Sequence, residues 1–260
     1  MRFVRYQLGT DAPRFGWMMN DRIGPLDGSP FEEYRRLEAD IPVQRVRLLA
    51  PLKPGKVICV GLNYIDHAKQ MEKSVPEIPL IFLKPSTAVI GPGEKIMLPP
   101  QSQQVEHEAE LVVVIGKRGR WIPAQQAMNY VFGFTVGNDV TARDLQRRDG
   151  QWTRSKGFDT FCPLGPWIET EMDAADALVT CRVNNELRQM ASTREMVFSV
   201  PQIMAYASSV MTLEPGDVIM TGTPAGNGPL KAGDIVEVAI EGIGSLKNPV
   251  LAESHLPIDG

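Results

Sequence analysis

Short apolar runs, separated by Pro- and Gly-rich segments, constrain the fold of this chain more than any other feature. They are KVICVGL (56–62), PLIFLKP (79–85) and AELVVVIG (109–116). Runs of this length between turn residues are typical of buried strands, and the Val and Ile content of the third favours a strand over a helix. The chain shows no regular alternation of strands with helices, and it lacks the GxGxxG and GxxxxGK[ST] motifs of nucleotide-binding folds. The sequence therefore predicts a strand-rich α+β protein.

The segment PLKPGK (51–56) is the best candidate for a domain boundary, because Pro and Gly interrupt regular structure there. Residues 1–25 alternate weakly between polar and apolar and contain Gly and Asp turn signals, which suggests short antiparallel strands. FEEYRRLEAD (31–40) is predicted as one short helix. We therefore predict a small strand-rich N-terminal domain at 1–52 and a larger domain at 53–260.

Helices are predicted at a few places in the larger domain. PAQQAMNYV (123–131) and FSVPQIMAYASSVMTL (198–213) have apolar residues at helical spacing, and the second ends at the stop signal EPGD. TARDLQRR (141–148) is a further probable helix, since it follows the apolar strand GFTVGND. VNNEL (183–187) is predicted as a hairpin, because Asn tolerates the left-handed backbone that tight hairpin turns require.

Composition and charge exclude several classes of partner. The 260 residues have a formal net charge of −4 and show no stripe of Lys and Arg, so neither nucleic acid nor an anionic membrane is expected. No apolar run approaches the roughly 20 residues that span a bilayer, and the first residues lack the apolar core of a secretory signal. Cys59, Cys162 and Cys181 lie far apart, which favours reduced thiols and a cytoplasmic location over a disulfide framework.

Two glutamates, Glu108 and Glu110, stand two residues apart at the start of an apolar strand in HEAELVVVIG. Residues at this spacing project from the same face of a strand, while Ala109 and Leu111 are expected to face the core. Adjacent carboxylates on such a strand repel each other and lose hydration, and a divalent cation removes both penalties. An edge strand with a solvated polar face would also explain the pair.

A third carboxylate, Asp139, ends the strand GFTVGND and precedes the predicted helix at 141–148. Asp139 or Thr141 could simply cap that helix. As a ligand, Asp139 would complete a set of three carboxylates without Cys or His, which suits a hard cation. Mg²⁺ fits best, and Mn²⁺ or Ca²⁺ would also be accepted.

Three further residues are candidates for chemistry, although each has a common structural explanation. His67 follows a strand in a polar stretch, so it is expected to be accessible and could act as a general base, but a lone His is more often a surface or capping residue. Lys156 lies in a Gly- and Pro-rich segment, where lysines are usually just solvated. GTPAGNGP (222–229) offers Thr223 and backbone amides that could hold a carboxylate, and a plain turn is the commoner meaning.

The motifs together resemble the fumarylacetoacetate hydrolase family, from about residue 53 to about residue 251. The resemblance is carried by these segments in this order: VGLNYIDHAKQM, PLIFLKPSTAVIGPG, HEAELVVVIGKRGR, GFTVGNDVTARDLQ, VNNELRQ and GDVIMTGTPAGNGPL. Residues 1–50 resemble the short strand-rich appendage that precedes this domain in many bacterial members. The resemblance implies a mixed β-roll or β-sandwich with a strongly curved central sheet, usually in a homodimer.

The resemblance also implies the roles of particular residues in a catalytic domain at 53–260. Three carboxylates would hold Mg²⁺ or Mn²⁺: Glu108, Glu110 and Asp139. Three residues match the catalytic set, with the histidine on a mobile lid: His67, Gln146 and Lys156. Gln70 is placed with them as a catalytic residue, although its position departs from the family pattern. Four match the set that contacts a small 2-oxo acid substrate, in which the TGTP threonine binds the carboxylate: Lys84, Ser86, Arg143 and Thr223.

Position 70 departs from the pattern of the family members that hydrolyse acylpyruvates. Those members often carry Glu three residues after the lid histidine, and the pair activates water, whereas this chain has Gln70. A glutamine can orient the imidazole of His67 or a water, but it cannot stabilise the protonated ring as a carboxylate does. Glu72 is not expected to substitute, because at five residues from His67 it lies about 140° round a helix axis.

Three functions remain open from the sequence. The first is a metal-dependent hydrolase that cleaves a C–C bond in an acylpyruvate such as fumarylpyruvate or acetylpyruvate. The second is an isomerase, decarboxylase or hydratase of 2-oxo or 2-hydroxydiene dioates from aromatic catabolism, which Gln70 favours. The third is a ligand-binding homologue without catalysis. In each case residues 66–79, which are polar and contain few apolar side chains, are predicted to form the lid.

Overall fold

The structure is a computed structural model that describes residues 1–254. Its strands are β1 (Arg2–Leu8), β2 (Arg14–Met19), β3 (Arg22–Gly28), β4 (Tyr34–Arg36), β5 (Ile41–Pro42), β6 (Val46–Leu48), β7 (Val57–Gly61), β8 (Leu80–Lys84), β9 (Val89–Ile90), β10 (Ile96–Leu98), β11 (Val105–Glu106), β12 (Ala109–Ile115), β13 (Val131–Asn138), β14 (Thr141–Ala142), β15 (Cys162–Glu169), β16 (Leu178–Val183), β17 (Glu186–Ser192), β18 (Val218–Met220), β19 (Ile235–Ile240) and β20 (Gly244–Ala252).

The helices are fewer and mostly short. The α-helices are α1 (Ile65–Gln70), α2 (Arg143–Asp149), α3 (Thr153–Lys156) and α4 (Val200–Val210), and 3₁₀ helices cover Val43–Arg45, Ser86–Ala88, Ala124–Tyr130 and Thr193–Glu195. The predicted strand-rich α+β class is therefore confirmed. Within residues 1–254, no helix is both long enough and apolar enough to cross a membrane.

The largest sheet of the described residues has 13 strands, and its main path runs β4-β3-β2-β1-β15-β13-β12-β18-β7-β8. The N-terminal strands belong to this sheet because β1 pairs with β15, with Arg2 opposite Glu169 and Phe3 opposite Ile168. The amino group of Met1 adds an ion pair to Glu169 at 2.8 Å. The short antiparallel strands predicted for residues 1–25 are thus confirmed, and they extend the central sheet.

A second sheet, in the order β10-β20-β19-β16-β17, packs on the central part of the large sheet. The main core lies between them and is built from alternate residues of the facing strands, such as Leu111 and Val113 of β12 and Val236 and Val238 of β19. The predicted hairpin is confirmed, since Asn184 and Asn185 link β16 to β17 with φ angles of 52° and 68°.

The predictions for helices had mixed outcomes. Helix α4 is confirmed inside the predicted 198–213, and it packs on the helix predicted at 123–131, which forms as the 3₁₀ helix Ala124–Tyr130. The helix predicted at 31–40 is wrong, because β4 lies there and pairs with β3. Its residues are exposed, so a helix of that length would gain little from packing, whereas β3 offers a ladder of hydrogen bonds.

Candidate active site

Three buried carboxylates meet where β12 begins and β13 ends. The backbone N–H of Asp139 donates to the carbonyl oxygen of Glu108 at 2.8 Å, so the register of these strands sets the two residues side by side. Glu110 follows on β12, and one carboxylate oxygen from each of Glu108, Glu110 and Asp139 lies within 4.8 Å of the other two. The structure therefore brings the three predicted metal ligands together. Neither Asp139 nor Thr141 caps α2, whose N-cap residue is Ala142 without a side-chain cap bond.

Two buried lysines, Lys84 and Lys156, form ion pairs with carboxylates of this cluster. The Lys156 ammonium lies 2.8 Å from Glu108 Oε2 and 2.6 Å from Asp139 Oδ2, and Lys84 Nζ lies 2.6 Å from Asp139 Oδ1. Burial disfavours the charged form of Lys156, but attraction to Asp139 and Glu108 outweighs it, so the pKa of Lys156 is raised. Lys156 is thus a buried partner of two carboxylates, in place of the solvated lysine that its Gly- and Pro-rich surroundings suggested.

Arg143, the first residue of α2, is bound by three acceptors. Its guanidinium donates to Glu106 Oε2 at 2.8 Å, to Gln146 Oε1 at 2.6 Å and to Glu108. Burial raises the pKa of Glu108, but Lys156 and Arg143 more than reverse this, so that the pKa of Glu108 lies well below its usual range. Arg143 is therefore held rigidly beside the carboxylate cluster, with Gln146 fixed next to it.

Glu110 is the carboxylate of this cluster that lacks a basic partner among residues 1–254. Its Oε2 accepts a hydrogen bond from the Gly222 backbone N–H at 2.8 Å. Burial, together with repulsion from Asp139 and Glu108, raises the pKa of Glu110 well above its ordinary value. The charged form of a buried carboxylate with two carboxylate neighbours and no basic partner is stabilised by a bound cation, and an all-oxygen donor set is what Mg²⁺ and Mn²⁺ prefer. The residues present therefore fit a hard divalent cation.

A cavity adjoins the cluster and is lined by His67, Gln146, Thr223 and Lys156, together with the three carboxylates. Five of the predicted catalytic and substrate-binding residues, counting Arg143, thus share one cavity. Lys84 contacts Asp139 and the Val140 carbonyl and lies behind the carboxylates, outside the lining. Ser86 is exposed beside a different depression, near Arg5 and Lys53, so the structure does not bring Ser86 to the cavity.

His67 lies on α1 and is buried, with 5% of its surface exposed, although its polar sequence surroundings suggested an accessible residue. Its Nδ1 has no hydrogen-bond partner in the described part of the chain. Burial lowers the pKa of His67, with Arg143 and Lys156 adding to the effect and Glu108 opposing it. The imidazole is therefore neutral near pH 7 and faces the same cavity as the carboxylates.

The side chain of Gln70 makes no hydrogen bond to His67 in the structure. Its Oε1 accepts from the Gly226 backbone N–H at 2.7 Å, and its Nε2 donates to the Asn227 carbonyl at 3.3 Å. Both partners belong to the 222–229 segment, so the side chain fastens the C-terminal end of α1 to that segment. The role predicted for Gln70, orienting the imidazole or a water, stays a prediction; in the structure the backbone of 222–229 offers its side chain one donor and one acceptor.

Gln70 is expected to keep residues 65–79 closed over the cavity. Replacing Gln70 with Ala removes two hydrogen bonds worth about 1 kcal/mol each, so amide hydrogen exchange across 65–79 is expected to rise roughly 30-fold. Hydrogen exchange followed by mass spectrometry measures this. Lys69→Ala is the matched control, since Lys69 is exposed on the same helix and pairs with Asp66. Unchanged exchange in Gln70→Ala would contradict the proposed fastening.

Gln189, on β17, was not identified from the sequence, although it lies in the VNNELRQ segment. Its Oε1 accepts from the Ala109 N–H at 3.1 Å and contacts His107 Nδ1 at 2.9 Å. Its Nε2 donates to Thr223 Oγ1 and to the Pro224 carbonyl, both at 2.8 Å. Since the Thr223 hydroxyl in turn donates to the Ala109 carbonyl at 2.9 Å, Gln189 connects the start of β12 to Thr223.

Gln189→Glu is expected to lower the free energy of unfolding by about 1–3 kcal/mol, because a carboxylate would face the Pro224 carbonyl and leave it without a donor. Urea denaturation measures the change. Gln125→Glu, at an exposed position of a 3₁₀ helix, is the control for the added charge. Equal stability of the two variants would show that the amide donor of Gln189 is not needed.

Other residues missed in the sequence are Glu106, Lys73 and Trp152. Glu106 holds Arg143 and also accepts from the Asn227 amide at 2.8 Å. Lys73 and Trp152 line the cavity beside His67. Of the three, only Glu106 could have been identified from the sequence. It lies two residues before Glu108, so on a strand it would project from the same face as Glu108 and Glu110.

The fold and the buried acidic cluster together define a strand-rich protein with a candidate site for a divalent cation beside a small-molecule cavity. The chain belongs to the fumarylacetoacetate hydrolase family. The sequence model described as fumarylacetoacetate (FAA) hydrolase C-terminal matches residues 56–251, and the one described as Rv2993c-like, N-terminal matches residues 1–51. The family predicted from the motifs is therefore confirmed.

Relatives in this family carry different activities in their names. The mitochondrial oxaloacetate tautomerase FAHD2A of Homo sapiens is 48% identical over 233 residues, which cover 84% of this chain and 74% of that protein. The crystal structure of 5-carboxymethyl-2-hydroxymuconate delta-isomerase from Mycobacterium smegmatis matches with a TM-score of 0.91 and 44% identity, covering 97% of this chain and 100% of that one.

A more distant structure contains a metal ion and a 2-oxo acid. It is maleylpyruvate hydrolase from Sphingobium sp. SYK-6 in complex with manganese (II) ion and pyruvate, with a TM-score of 0.80 and 32% identity over 98% of this chain and 100% of that one. The family thus includes isomerases, a tautomerase and hydrolases, and it is an enzyme family that acts on small molecules.

Proposed function

We propose that this protein is a divalent-metal-dependent tautomerase or isomerase of 2-oxo acids, which moves a proton without cleaving a C–C bond. The observation that carries the proposal is the state of His67. Its imidazole is buried, neutral and directed to the carboxylate cavity, and no carboxylate of residues 1–254 lies within hydrogen-bond distance of its ring. A neutral imidazole in a cavity can accept and return a proton.

Glu108, Glu110 and Asp139 are the residues that would hold the cation. A divalent cation bound there would supply Lewis-acid polarisation of the substrate's 2-oxo group. Lys156 and Arg143 both form ion pairs with Glu108. Their positive charges therefore position this carboxylate and are not free to bind the substrate. Thr223 borders the cavity at the place where the substrate's carboxylate would lie.

His67 would carry out the proton transfer. The C3–H bond of the 2-oxo acid breaks, its proton goes to the imidazole, and its electron pair forms the C2–C3 double bond as the carbonyl pair moves to oxygen. The imidazolium then returns the proton to that oxygen, which gives the enol, or to a more distant carbon of a conjugated chain, which gives an isomer. No water is consumed and no C–C bond is broken.

Hydrolysis would require something more, namely a water activated by a base. In acylpyruvate-hydrolysing members that base is a histidine supported by a lid glutamate, and here the corresponding residue is Gln70, which binds the 222–229 segment. The names of the human tautomerase and of the Mycobacterium smegmatis isomerase support the same choice.

A comparison of two substrates tests the reaction class. With Mg²⁺ or Mn²⁺ present, the enol-to-keto conversion of oxaloacetate is expected to be accelerated well above its spontaneous rate, while acetylpyruvate is cleaved little or not at all. Faster cleavage of acetylpyruvate would instead establish a hydrolase. Acceleration of neither reaction, together with retained binding of 2-oxo acids, would support a ligand-binding homologue.

A further inference from the structure

The cavity has an aromatic wall, which is formed by Phe82 and Trp152. Phe82 and Trp152 meet edge to face, with ring centroids 5.1 Å apart, and the Lys156 ammonium lies 5.0 Å from the Phe82 ring. Gly61 makes room for this wall, because a Cβ atom there would lie 2.7 Å from the Trp152 ring. The wall therefore begins beside Lys156 of the carboxylate cluster and would offer an apolar surface to the middle of a bound substrate.

Lys73 stands at the other end of the wall, and its backbone is fixed by the way in which α1 ends. Glu72 has a left-handed φ of 53°, its N–H donates to the Lys69 carbonyl at 3.0 Å, and the Lys73 N–H donates to the Ala68 carbonyl at 2.9 Å. This pair of bonds is the Schellman arrangement that terminates helices. The arrangement holds Lys73 at the cavity, with its Nζ 5.7 Å from the Trp152 ring centroid.

The ammonium of Lys73 lacks a carboxylate partner in the described part of the chain. Lys69, one turn earlier, is different, since it forms an ion pair with Asp66 at 2.9 Å and borders another groove. Lys84 and Lys156 are both bound to carboxylates of the cluster. Lys73 is therefore the lysine at this cavity whose positive charge is available to a ligand.

We propose that Lys73 is the residue that binds the distal carboxylate of a dioate substrate, and that it thereby lets this site discriminate a dioate from a monoacid of the same length. This inference rests on the proposed function, which places the 2-oxo acid end at the three carboxylates. The chain of the substrate then lies along Phe82 and Trp152, and the distal carboxylate reaches the ammonium at the lid. Lys73 and His67 lie in the same short segment. When the lid closes, it therefore brings Lys73 to the distal carboxylate and His67 to the 2-oxo acid end together.

Binding of two matched acids to the Mn²⁺-loaded protein tests this inference. 2-Oxoadipate carries a distal carboxylate, and 2-oxohexanoate has the same chain length with a methyl group instead. Isothermal titration calorimetry gives Kd for each acid with wild type, Lys73→Met and the control Lys69→Met. For Lys73→Met, Kd of 2-oxoadipate is expected to rise roughly two- to fivefold, the upper part of the range for an exposed ion pair. Kd of 2-oxohexanoate is expected to change less than about twofold.

The outcomes separate this inference from the proposed function. If both acids bind wild type and Lys73→Met weakens them equally, or leaves 2-oxoadipate unaffected, the role of Lys73 is overturned and the proposed function stands. An equal rise in Kd of 2-oxoadipate for Lys69→Met would also overturn this role. The weaker binding would then follow from the loss of any positive charge on the lid. If neither acid binds wild type, both the proposed function and the inference are overturned.

Discussion

Replacing His67 with Gln is expected to lower the rate of enol-to-keto conversion by about 10²–10⁴-fold, the usual contribution of a general acid–base residue. The amide of Gln fills a similar volume but cannot take up a proton, so binding should change far less than turnover. Kinetics with oxaloacetate give kcat and KM separately, and the loss is expected in kcat. His67→Ala should recover part of its activity with added imidazole, because the cavity left by the side chain admits that base.

Near-normal kcat in His67→Gln would contradict the assignment of the proton transfer to His67. A rise in KM with unchanged kcat would show that His67 contributes to binding of the substrate alone. Metal binding provides the control, since His67 is absent from the carboxylate cluster and both variants should bind Mn²⁺ as wild type does.

Glu110→Gln is expected to have the second large effect, which is loss of the cation and of all metal-dependent activity. The variant retains an oxygen for the Gly222 N–H but lacks the charge that a divalent cation requires. The fall in metal affinity should exceed the ~100-fold that follows loss of a residue that merely supports a ligand. Titration calorimetry with Mn²⁺ measures it.

The same substitution should leave the metal-free protein at least as stable as wild type. Glu110 is buried with Glu108 and Asp139 as neighbours and without a basic partner in residues 1–254, so removing its charge relieves repulsion. Thermal denaturation in EDTA checks this point. A variant that binds Mn²⁺ normally, or one that is strongly destabilised without metal, would contradict the role given to Glu110.

The sequence predicted the centre of the site well because strand geometry is local. Glu108 and Glu110 share a face through a period of two, and Asp139 ends the strand that pairs with theirs, so these residues meet once the strands pair. The Asn184–Asn185 hairpin was equally predictable, since the turn type depends on two adjacent residues.

Contacts between distant segments could not be predicted in this way. Gln70 and the 222–229 segment are more than 150 residues apart, and Gln189 reaches Ala109 from another sheet. Burial of His67 and Lys156 depends on what packs over them, and their polar neighbours in the sequence suggested exposure instead. The wrong prediction of a helix at 31–40 has the same cause. The composition of this segment suits a helix, and the segment's own sequence does not reveal that it pairs with β3.

The most direct test is a single NMR time course of oxaloacetate with the chelated protein, to which Mg²⁺ or Mn²⁺ is added midway. We expect only the spontaneous enol-to-keto rate before the addition and marked acceleration after it, with pyruvate accumulating no faster than in a protein-free sample containing the same metal. Full acceleration before metal is added, or conversion chiefly to pyruvate by the metal-loaded protein, would contradict a metal-dependent tautomerase.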